Sequence, residues 1–206
     1  MKIHDISPPV SINAAVWPGD VPLSLRPTMS RERGDAVNVT EIRATVHLGA
    51  HADAPLHFLD RGADIAHVPL EAYLGPARVF DVGEVAEIRP EDLAGVPWAG
   101  TERLLLRTCR RFHATQFDEG FPHLGEGLGG WLAARGLKLV GVDVPSVDAF
   151  DSRSMSNHVA LLRGGVAILE NLDLSHVEPG EYELLAAPLK LVGVDASPVR
   201  AVLIER

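Results

Sequence analysis

The chain has 206 residues, enough to bury a substantial core and few enough for one domain spanning 1–206. It is 46% hydrophobic and 23% charged, which excludes a disordered chain. Its 28 acidic against 19 basic residues give a formal net charge of −9; with no basic cluster beyond Arg110-Arg111, that excludes a chain built to wrap nucleic acid or an anionic membrane.

In chain order, MKIHDISPPV carries no apolar core region behind its lysine and does not read as a signal peptide. No apolar run approaches the ~20 residues of a membrane span. A cytoplasmic, soluble protein is expected. The segment 16-VWPGD-20 reads as a turn, in which Trp17 taken alone is a packing anchor. β-Branched and aliphatic residues then mark strands at 39–48, 77–85, 103–108, 137–144, 165–172, 189–195 and 199–206. Helical patterns are fewer, at 63–74, where Pro69 interrupts, and at 126–136, where Gly136 suits a C-terminal cap. The single cysteine, Cys109, follows the apolar run 104–108 and reads as an inert core thiol. Trp98 and Trp131 read as packing residues. The heptapeptide LKLVGVD occurs at 137–143 and again at 189–195, which predicts two central strands in similar surroundings. Many strands and few helices predict a mixed, strand-rich α/β domain on a large sheet.

One stretch asks for chemistry. In 47-HLGAHADAPLHF-58, His47, His51, Asp53 and His57 fall within eleven residues. His47 is expected to end the strand begun at Val39; Gly49 then frees the backbone, and Pro55 forbids a continuous helix. A strand end followed by a turn can aim His47, His51 and Asp53 at one point. Imidazole nitrogen and carboxylate oxygen suit zinc, manganese or iron, and the absence of nearby thiolate argues against a structural cysteine site. His57, just beyond, is of the residue type best suited to proton transfer near neutral pH. A second cation needs distant ligands; His158 in 156-SNHVALL-162 and Glu170, a carboxylate ending an apolar run, are the candidates. His4, His67, His113, His123 and His176 lack ligand company. Asp143 and Asp148 read as turn caps or as support for nearby side chains.

These residues, with 5-DISPPV-10, 17-WPGD-20, 141-GVDVPSVDAFDS-152, 168-ILENLDL-174, 179-PGEYELLAAPLKL-191 and 195-DASPVRAVL-203, resemble the cyclase-like metal-dependent hydrolase family nearly end to end, and within it the formamidase branch. The resemblance implies a swivelling β/β/α domain and hydrolysis of N-formyl-L-kynurenine to L-kynurenine and formate. It implies two zinc ions per subunit, with manganese as the alternative: His47, His51 and Asp53 on one, Asp53, His158 and Glu170 on the other. His57 matches the proton donor and acceptor, and Trp17 the residue packing against the substrate's aryl ring. Homodimers are implied, with Trp17 able to serve either subunit's pocket. Phe58 stands where many relatives carry tyrosine, and Asn157 where another histidine is common. Two rival readings are a hydrolase of the same family acting on another aryl or cyclic amide such as isatin, and a metal-binding protein without catalysis.

Overall fold

The apolar runs gather into one nine-stranded sheet in the computed structural model, which describes residues 1–108 and 115–205. The expectations for Cys109, the Arg110-Arg111 pair and His113 lie outside the described residues. The strands are β1 (Lys2–Asp5), β2 (Ser24–Met29), β3 (Val39–Arg43), β4 (His51–Asp53), β5 (Leu74–Asp81), β6 (Glu87–Ile88) and β7 (Arg103–Arg107). They continue with β8 (His123–Leu124), β9 (Leu139–Val142), β10 (Ala167–Glu170), β11 (Gly180–Leu185), β12 (Ala196–Pro198) and β13 (Val202–Glu205). Among the described residues two helices, α1 (Leu128–Ala133) and α2 (Ser156–Arg163), complete the regular structure together with short 3-10 turns.

The large sheet runs β1-β13-β11-β5-β7-β9-β10-β4-β12. Its centre, β5-β7-β9-β10, is parallel, and antiparallel strands extend it on both sides. Alternation along each strand sorts side chains to two faces. Leu104, Leu106, Val140, Val142 and Ile168 join Leu128, Leu132 and Leu161 of the helices on one face. Leu105, Leu139 and Leu169 join Ile6, Tyr73 and Leu203 on the other. Burial on both faces is why the central strands read as continuous apolar runs. The mixed, strand-rich α/β architecture is the one expected. Among the described residues, no helix is long and apolar enough to cross a membrane.

Four local expectations are corrected. The strand begun at Val39 stops at Arg43, so His47 sits on a following turn. The 63–74 segment forms two 3-10 turns, Ile65–His67 and Leu70–Ala72, because Pro69 lacks the amide that a continuous helix needs there. The 126–136 helix is only the six residues of α1. The second LKLVGVD copy is a loop: Gly193 turns at φ +81, and Val192 is 75% exposed.

The short strand β4 organises the site. It lies between β10 and β12, so His51 faces Glu170 in the register, while Asp53 faces Ile168 on one side and Ala196 on the other. Residues more than a hundred positions apart thus meet at one strand.

Candidate metal centre

Gly49 makes the turn into β4 at φ +63, and a Cβ there would stand 2.6 Å from Val10 Cγ2, so glycine is required on both counts. The turn places His47 beside His51, with ring centroids 4.9 Å apart. α2 presents His158 from the other side, anchored through Asp148, which accepts from the backbone amides of Asn157 and His158. Glu170 at the end of β10 accepts from the Val147 amide at 2.8 Å. Asp53, 1% exposed, lies between these groups.

Each imidazole is oriented by its second nitrogen. His51 Nδ1 donates to Gly49 O at 2.9 Å, and His158 Nδ1 donates to Asp148 Oδ2 at 2.7 Å. His47 Nε2 donates to Asp195 Oδ2 at 3.0 Å. A carbonyl or carboxylate oxygen only accepts, so the nitrogen facing it carries the proton in the neutral ring. In neutral rings the remaining nitrogens would be the bare ones, and all face carboxylates. His47 Nδ1 is 3.4 Å and His51 Nε2 3.6 Å from Asp53 Oδ1. His158 Nε2 is 3.5 Å from Asp53 Oδ2, and His51 Nε2 is 3.4 Å from Glu170 Oε2. His158 Nε2 approaches Glu170 Oε1 more closely, at 3.0 Å.

Those geometries test whether cations fit. Both oxygens of Asp53 are buried without a hydrogen-bond partner among the described residues, a costly state for a carboxylate. The four separations of 3.4–3.6 Å exceed a normal N–H···O bond. They match the edge of a tetrahedron with metal–ligand bonds of ~2.1 Å, which is ~3.4 Å. Three donor sets emerge among the described residues, His47-His57-Asp195, His47-His51-Asp53 and Asp53-His158-Glu170, and the last two, both more buried, are joined through Asp53. The residues present therefore fit divalent-cation binding.

Electrostatics agree with that reading. Burial pulls His47 down, but Asp53 and Asp195 outweigh it and raise its pKa to about 9. Burial likewise opposes charge on His158, yet Glu170, Asp148 and Asp53 hold it well above the ordinary imidazole range. Asp53 is held well below the ordinary carboxylate range against its burial, chiefly by His158 and His47.

His57 follows in the 3-10 turn Pro55–His57, with Nδ1 3.0 Å from Asp195 Oδ2. Burial, aided by His47 and His158, lowers its pKa against the pull of Asp53 and Asp195. The ring lines a cavity of about 340 Å3 together with His47, His51, His158 and Glu170, and Asp53 lies beneath. Trp17 lines the same cavity, its ring 5.1–6.1 Å from those of Phe117, Phe121 and Phe150. The structure thus brings all seven candidate residues to one place. Phe58 packs on His158 at 4.3 Å between ring centroids. Asn157 Oδ1 accepts from the Gly129 amide, tying α1 to α2. Trp98 and Trp131 pack edge-to-face away from the site.

Residues 4–149 match the family model "Putative cyclase". The chain belongs to the cyclase family. This cyclase-family chain is 43% identical over 199 residues to the kynurenine formamidase of Bacillus cereus, covering 97% of this chain and 95% of that one. Its fold matches the structure of a predicted metal-dependent hydrolase from Bacillus stearothermophilus at TM-score 0.85 and 30% identity, over 100% of this chain and 98% of that one. Isatin hydrolase A from Labrenzia aggregata matches at TM-score 0.81 over 100% of this chain and 94% of that one; at 23% identity this speaks for the fold alone.

No motif in the sequence marks Asp195 as a site residue, and the sequence allows Asp148 either to cap a turn or to support a neighbour. Asp148 does both. Asp195 ends an exposed loop, and the only local signal was its place at the close of the second LKLVGVD copy.

Proposed function

We propose that this cyclase-family chain is a metal-dependent kynurenine formamidase that hydrolyses N-formyl-L-kynurenine to L-kynurenine and formate. Kinship with the Bacillus enzymes supports the substrate. The observation that carries the chemistry is Asp53, whose two unpartnered oxygens face imidazole nitrogens on both sides. His47, His51 and Asp53 would hold one cation, and Asp53, His158 and Glu170 the other. Zinc suits this imidazole and carboxylate set, with manganese the alternative. A bound divalent cation supplies Lewis acidity and lowers the pKa of water to about 7.

The chain's own side chains do the rest. Trp17 and the phenylalanines around it offer an aromatic wall to the aryl ring. His57, kept neutral by burial, takes the proton of the attacking water at Nε2. As the new C–O bond forms and the C–N bond breaks, it returns that proton to the departing aryl nitrogen.

We further place the enzyme in the cytoplasm as a homodimer. The β2-β3 ribbon supports the second copy, since Leu25, Met29, Val39 and Ile42 are all exposed on it. The deciding assay follows formylkynurenine hydrolysis, with isatin opening as the comparison, before and after metal removal. Loss on stripping, return with zinc and preference for the formamide are expected. Full turnover by stripped protein, or preference for isatin, would overturn the reading.

A further inference from the structure

Asp195 is pinned by its backbone. Its carbonyl accepts from the Ala54 amide at 2.8 Å, and the Val194 carbonyl accepts from the Ile65 amide at 3.0 Å. The Gly193 amide donates to Asp64 Oδ2 at 2.6 Å. On its other side, Ala196 enters β12 opposite Asp53. A half-exposed aspartate on an irregular loop is thereby given a fixed position.

From that position one oxygen meets two rings. Asp195 Oδ2 accepts a hydrogen bond from His47 Nε2 at 3.0 Å, and lies 3.0 Å from His57 Nδ1 as a charge contact without hydrogen-bond alignment. The two imidazole centroids are 4.4 Å apart, so the rings stand side by side over the same carboxylate. His47 reaches Asp53 through its opposite nitrogen, Nδ1. His57 has Nε2 across the ring from Asp195, in a side chain that lines the cavity.

Resting on the roles given to His47 and His57 above, we infer that Asp195 is a positioning residue that sets both imidazoles with one oxygen. By accepting from His47 Nε2–H it keeps His47 Nδ1 bare toward Asp53. Its negative charge beside His57 Nδ1 favours the neutral tautomer protonated there, which leaves His57 Nε2 bare for the proton of the attacking water. The cation ligand and the proton carrier are therefore oriented by a common carboxylate, which sits at no reacting atom itself. Carboxylates that orient metal-bound histidines in this way affect metal affinity or activity by about 10–100-fold when removed.

The experiment uses the full zinc-loaded chain with Asp195→Ala, Asp195→Asn and His57→Ala. Three readouts are taken: kcat and KM on formylkynurenine, zinc retention against a competing chelator, and nitrogen NMR of the histidine rings. Asp195→Ala is expected to lower kcat about 10–100-fold with KM within about twofold, and to weaken zinc retention over a similar range. Its NMR spectrum should show the His57 proton moved from Nδ1 toward Nε2, a change that loosened packing alone would not produce. Asp195→Asn keeps one acceptor oxygen in place and should recover part of the zinc retention. Wild-type kcat and retention in Asp195→Ala, or an unchanged His57 tautomer, overturns the inference. His57→Ala separates the two levels: full turnover there sinks the proposed mechanism, whereas its inactivity beside an active Asp195→Ala sinks only the role of Asp195.

Discussion

The two copies of LKLVGVD carry one heptapeptide to opposite ends of the molecule's economy. At 137–143 it forms β9 in the middle of the parallel sheet, where Leu139 and Val140 are wholly buried. At 189–195 it is a loop in which the equivalent Val192 is 75% exposed. Both copies end in aspartate. Asp143 is buried, accepts from the Thr108 amide and hydroxyl, and is pushed by that burial up to about 6. Asp195 reaches His47 and is lowered, because that contact outweighs its burial. Seven side chains do not determine a strand; neighbouring strands on both edges do. The buried copy builds the sheet and brings Asp143 to the cavity wall, and the exposed copy sets Asp195 against two of the site's imidazoles.

The sharpest division should appear beside the loop copy. His57→Ala is expected to cut turnover by ~10²–10⁴-fold while zinc content and melting temperature stay as in the wild type. Mass spectrometry of bound metal, read with the hydrolysis rate, checks it; a variant that also loses its zinc would blur the division. Next come the paired valines. Val140→Ala should cost about 2–3 kcal/mol in chemical denaturation, since it empties a packed site between β7 and β10. Val192→Ala should stay within about 0.5 kcal/mol. Similar losses at both would contradict the contrast between the copies.

The last contrast concerns Asp143 and pH. A carboxyl raised in the folded state favours folding below its unfolded pKa, and that contribution is lost as pH rises through the folded value. Relative to the wild type, Asp143→Asn should therefore gain stability between about pH 4 and pH 6, by on the order of 3 kcal/mol. Thermal melts of both proteins across that window give the answer. A difference that does not change with pH would show that Asp143 is not held protonated.

Much of the sheet was legible because its central strands are buried on both faces and read as apolar runs. The second heptapeptide misled for the same reason, since composition carries no record of edge partners. β4 was hidden in the histidine stretch, three residues being too few for an alternation pattern. α2, eight residues long, was too short to show a helical period. His47, His51, Asp53 and His57 could be picked out locally because they are close in sequence. His158 and Glu170 stood out only weakly from their own surroundings, and the family resemblance supplied their partnership. Asp195 escaped both routes: a polar residue on an exposed loop looks ordinary until β12 is paired with β4.

The central claim is that Asp53 joins two cation sites. Anomalous diffraction from zinc-loaded crystals tests it most directly. Two peaks are predicted, one among His47, His51 and Asp53 and one among Asp53, His158 and Glu170, each ~2.0–2.2 Å from an oxygen of Asp53. No peak within bonding distance of Asp53, or a single peak held by His47, His57 and Asp195 instead, would contradict the account.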